Sequence, residues 1–135
     1  MSEPQPFDWV TARAGCSLSA TFSELRLGVE ADVAMVKSLR IRDENATIFN
    51  FKNVHPTRFA VQRIDQGAVT TVDVSFTLDS HGIFVRDEAS GTEFQAVPRL
   101  GRDGKCRLVV KAEELELWQV RQKALEHLFF YTSRL

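Results

Sequence analysis

The chain has 135 residues, 44% of them hydrophobic and 26% charged, a balance that fits a folded domain and excludes a disordered one. That length suffices for one core, so residues 1–135 are expected to form a single α+β domain with a loose leader over residues 1–7. Seventeen basic against eighteen acidic side chains leave a formal net charge of −1, without the basic excess that tracks a phosphate backbone, so no nucleic-acid partner is expected.

The first helix signal is DWVTARAG, with Asp8 placed to cap the start and Gly15 to stop the helix after two turns. Trp9, Arg13 and Cys16 would share one side of it. A longer helix begins at Ser17 or Ser19. Leu18, Phe22, Leu25, Val29, Val33 and Val36 follow one another at steps of three and four, which carries the helix to about Leu39. Gly28 lies off that stripe and is expected only to weaken the helix slightly.

After the second helix the period changes to two. In TVDVSFTLD, Val72, Val74, Phe76 and Leu78 face one way, while Asp73, Ser75, Thr77 and Asp79 face the other, as in an antiparallel strand with one wet face. DSHG then turns the chain into IFVRD, a hairpin. Thr47–Val54 and Arg58–Ile64 precede this hairpin, and Thr92–Val97 and Cys106–Lys111 follow it. Six strands with short polar turns imply a meandering antiparallel sheet, because no crossover helix fits between them. One sheet face needs a cover, and the two amphipathic helices are its candidates, with the long C-terminal helix expected in the centre.

That last helix, within WQVRQKALEHLFFYTSRL, carries an anomaly. At about 100° per residue, Leu117, Val120, Ala124, Leu128 and Tyr131 form one flank of its apolar arc, and Trp118, Leu125 and Phe129 form the other. Arg121 falls between the flanks. Three readings are open: its head snorkels to water, it forms a buried ion pair, or it anchors an anionic ligand. Asp32 is a matching intruder at the edge of the second helix's stripe. Its simplest reading is a boundary residue facing solvent, but two helices side by side could pair it with Arg121, and Arg13 is an alternative partner.

Other chemistry-bearing residues are sparse. His55, His81 and His127 show no metal-ligand spacing, and there is no nucleophile elbow or phosphate loop, so no metal and no cofactor are expected. Cys16 and Cys106 could form one bridge, but read more simply as two reduced thiols behaving as small hydrophobes. Asp65, Asp73, Asp79 and Asp87 read as solubilising carboxylates. No basic region precedes an apolar run at the N-terminus and no run is long enough for a membrane span, so a cytoplasmic protein with no membrane partner is expected.

The expected layout is similar to that of helix-grip proteins, which hold ligands beneath a helix, and of profilin-like domains, which bind proteins. No motif accompanies the likeness, and layout does not fix function. The leading expectation is a non-catalytic binding domain for a protein partner or a small apolar-acidic ligand. Its pocket would lie between the last helix and the sheet, with Arg121 as anion anchor, Asp32 beside it, and Trp118 and Phe76 as walls. The alternative is a small enzyme using the same cavity, with Arg121 and Asp32 as an electrostatic or acid–base pair. Phe130, facing the polar side of the last helix near Trp118 and Tyr131, marks an apolar patch. It points to a homodimer through that helix or through the uncovered sheet face.

Overall fold

The computed structural model describes residues 6–39, 47–65 and 70–130. Tyr131 and the first five leader residues lie outside them. Helix α1 (Trp9–Gly15) starts where expected, since the Asp8 side chain accepts from the Thr11 backbone N–H and hydroxyl. Helix α2 (Leu18–Leu39) opens with the Ser17 hydroxyl accepting from the Ala20 N–H. It buries Phe22, Leu25, Val29, Val33 and Val36 of the expected stripe together with Thr21, while Leu18 at its start is only partly buried.

Seven strands follow: β1 (Thr47–His55), β2 (Arg58–Asp65), β3 (Thr70–Asp79), β4 (Gly82–Asp87), β5 (Thr92–Leu100), β6 (Cys106–Val110) and β7 (Glu113–Leu115). They form one sheet in sequence order, and each strand is antiparallel to its neighbour. Strand β5 is shared along its length: Thr92–Ala96 pair with β4 and Val97–Leu100 with β6.

The sheet therefore has one strand more than the six expected. β7 is joined to β6 by Lys111 and Ala112, whose φ angles are +50° and +67°, with Val110 paired to Glu113. Two consecutive positive φ angles suit a mirror-image hairpin turn, which normally recruits Asn-Gly or Asp-Gly. Lys-Ala carries no such signal, and three residues are too few for a period to show.

Helix α3 (Leu117–Phe130) closes the fold. Its first turn is capped on one side, for the Gln119 side chain accepts from the Glu116 N–H, and the Glu116 carbonyl accepts the first intrahelical bond from the Val120 N–H. α2 and α3 share one face of the sheet, α2 touching β1, β3, β4 and β5, and α3 touching β3, β4 and β6. Between them and the sheet lies the core, in which Phe76 stacks on Phe59 with ring centroids 4.6 Å apart. Arg26 ties α2 to the β1–β2 turn, donating to the carbonyls of His55 and Pro56.

Two sequence readings need correction. Cys16 and Cys106 are joined as a disulfide, with Cα atoms 5.4 Å apart and 90 residues of separation. The bridge ties the α1–α2 joint to the start of β6. The reduced-thiol reading failed because sequence distance says nothing about spatial distance in a meander. The carboxylates are also more than solubilising. Asp87 occupies a core-facing position on β4 and is 5% exposed. It folds back into its own turn, accepting from the Ala89 N–H and the Ser90 hydroxyl. Asp79 accepts from the N–H of His81 in the β3–β4 turn. Asp65 pairs with Arg63.

Candidate functional site

Arg121 projects from α3 toward α2, and its Nε donates to the Asp32 Oδ2 over 2.7 Å. The side chains are 23% and 33% exposed, so the pair is partly buried. Gly28 makes the approach feasible. A Cβ there would lie 2.6 Å from Arg121 Nη1 and 2.9 Å from its Cδ, so the guanidinium and its stem occupy the space a side chain would need. Gly28 is thus a seat for Arg121, a role its place off the apolar stripe did not disclose. Arg13, the alternative partner for Asp32, instead donates to the Cys16 carbonyl.

The ion pair stands in a groove of about 320 Å³ between α2 and α3. Val36, Leu125 and Phe129 are its buried floor, and Met35, Leu39, Trp118 and Phe130 are its exposed walls. Gln122 and Glu126 add a polar rim. The Trp118 indole is held by its N–H, which donates to the Glu116 carboxylate over 2.9 Å. The walls are 52–60% exposed, far more than apolar side chains of this size in a finished interior.

Three of the four expected site residues, Asp32, Trp118 and Arg121, therefore meet in one place. Phe76 does not join them. It is fully buried on the sheet, separated from the groove by the helices' inner faces. The expected cavity beneath α3 is filled instead by Val120, Ala124 and Leu128, all at most 1% exposed. The concavity opens on the opposite, solvent-facing side of the helix pair. An apolar arc wide enough to include Trp118 serves both sides: its centre packs on the sheet and one flank lines the groove.

A second arginine escaped the sequence reading. Arg63 is 0% exposed on the core face of β2, in line with Phe59 and Val61. Its Nη1 donates to the Leu128 carbonyl at the end of α3 over 3.0 Å, and its Nε lies 3.3 Å from Asp65 Oδ2. A cation at a helix C-terminus meets unsatisfied carbonyls and the negative end of the helix dipole. The signal was available, since strict alternation from Phe59 and Val61 puts Arg63 on the apolar face.

The opposite sheet face holds a broader depression of about 560 Å³, walled by Arg58, Thr77, Phe84, Arg86 and Gln95 among others. Phe84 is its large exposed hydrophobe, and Arg86 there pairs with Glu93 at the surface. Among the described residues, no three metal-ligating side chains come together and no helix is long and apolar enough to cross a membrane. Comparison with protein-family models, curated protein sequences and solved structures finds no match for this chain.

Proposed function

We propose that this protein is a non-catalytic binding domain, and that its α2–α3 groove receives an apolar helical segment of a protein partner. The observation that carries this reading is the groove itself, an apolar floor with four large exposed apolar walls on a helix pair. Amphipathic helices dock into such grooves through anchors spaced at three and four residues. Arg121 contributes by neutralising Asp32, so that no uncompensated carboxylate stands between the two helices.

A small anionic ligand or an acid–base reaction is the weaker reading. Arg121 is already neutralised by Asp32, so an incoming carboxylate would meet a pair without net positive charge and would sit beside the Asp32 carboxylate. The compartment proposed also changes from the cytoplasm expected from the sequence. The Cys16–Cys106 bridge favours one in which thiols stay oxidised.

The test is an NMR titration with a panel of synthetic amphipathic helical peptides. Docking is expected to shift the Met35 methyl and Trp118 indole signals, and Met35→Glu is expected to abolish it. Peptide binding that perturbs only the outer sheet face, or no binding by the monomeric protein, would refute the groove as the binding surface.

A further inference from the structure

The solvent side of α2 carries a second apolar row. Leu27, Ala31, Met35 and Leu39 step by four along it, and all four are exposed. This row starts opposite the buried stripe at Leu27 and, turning by about 40° per four residues, comes round to face α3, where Met35 and Leu39 become walls of the groove. One face of the molecule thus offers both an apolar ridge and an apolar groove. Such a face is self-complementary under a twofold axis.

We infer that the helical segment which docks here is α2 of a second copy, in a symmetric dimer that joins the two helical layers between two outer sheets. The inference rests on the docking role proposed for the groove and names its occupant. Two antiparallel α2 helices crossing at Ala31 bring Leu27 opposite Met35 of the second copy and Gly28 opposite its Ala34. Glu24 then faces Ser38, and Asp32, which flanks the axis, is neutralised by Arg121 of its own copy. The small side chain of Ala31 sits at the closest approach, where a large one would hold the helices apart.

The extent of the face fits. Leu27, Met35, Leu39, Trp118 and Phe130 are 52–66% exposed. Together they present on the order of 600 Å² of apolar side chain per copy, near the ~800 Å² that each partner gives to a standard-size interface. Asp32 borders this face, and Arg121 brings the counter-charge that lets it be covered. The depression on the outer sheet face is less suited, because Arg58, Arg86 and Glu93 line it beside the exposed Phe84.

The experiment is sedimentation velocity over the micromolar range, on the wild type and on Ala31→Glu. Ala31 is exposed, so the variant is expected to keep the wild-type circular dichroism, and to match its melting temperature at dilutions where the wild type is monomeric. A wild-type dimer weakened by roughly 100-fold or more in Ala31→Glu supports the inference, since like charges would meet at the axis. Cysteine placement reads the register: oxidised Ala31→Cys is expected to give a covalent dimer, and Ser38→Cys is not. A wild type that stays monomeric, or a dimer indifferent to Ala31→Glu, overturns it. A monomer that still binds an amphipathic peptide in the groove overturns self-association alone, while a monomer that binds none overturns the docking reading as well.

Discussion

Arg121 and Arg63 answer the same problem, a cation on an apolar face, in two different regions. Arg121 keeps 23% of its side chain in water and holds one carboxylate across two helices. Arg63 keeps none, and spends its charge on the carbonyl end of α3 and on Asp65. The difference lies in what each would leave behind. Loss of Arg121 exposes Asp32 to solvent that already reaches it. Loss of Arg63 strands the Leu128 carbonyl in the core and empties the space of a fully buried side chain, so the less visible arginine is the greater structural commitment.

Arg63→Ala is the largest expected effect, a loss of about 2–5 kcal/mol in urea denaturation, because a fully buried side chain leaves a cavity and the Leu128 carbonyl loses its donor. A loss below about 1 kcal/mol would erase the distinction between the two regions, that being the usual range for a surface pair. Arg121→Ala is expected to cost about 1 kcal/mol, because partial solvation screens the pair. A double-mutant cycle with Asp32→Ala should recover most of that as coupling, and the coupling should shrink in high salt.

Gly28→Ala sharpens the point further. An ordinary exposed helical glycine gains about 1 kcal/mol on this change. Here the added methyl displaces Arg121, so the net change is expected to be near zero by thermal melting. The same substitution made in Arg121→Ala should recover the ordinary gain.

Asp103 and Arg107 give the smallest effect, a further arginine pair that joins the β5–β6 turn to β6. The Arg107 hydrogen bond, helped by the Lys105 N–H, holds the Asp103 carboxyl well below the usual carboxylate range. A carboxyl depressed on folding stabilises above its unfolded value and loses that contribution as pH falls through the folded one. Carbon-detected titration should therefore find Asp103 still ionised at pH values where an unperturbed aspartate is protonated.

Much of the fold was legible because its long elements are strongly periodic. The α2 stripe and the alternation of β3 each name their buried faces without tertiary help. What escaped has particular causes. β7 depends on a turn whose residues do not advertise it, and the disulfide on a proximity created only once the sheet is wound. Arg63 was readable from its strand and passed over, because a basic residue near a strand end is ordinarily taken as exposed. At the site, the wheel brought Arg121 and Asp32 to facing edges of their helices, and they do pair. It could not tell which side of the helix pair would stay open, since that depends on how completely Val120, Ala124 and Leu128 fill the space above the sheet.

The Cys16–Cys106 bridge has a consequence for motion. It makes residues 16–106 a covalent ring that contains α2 and strands β1 to β5. α3 lies outside the ring, attached to it only through β6 and β7. One wall of the groove is thus part of a hoop, while the other is a flap on a short tether. Opening of the flap leaves the hoop's loop entropy untouched, so α3 amides should exchange with deuterium ahead of those in α2, and reduction of the bridge should narrow the gap.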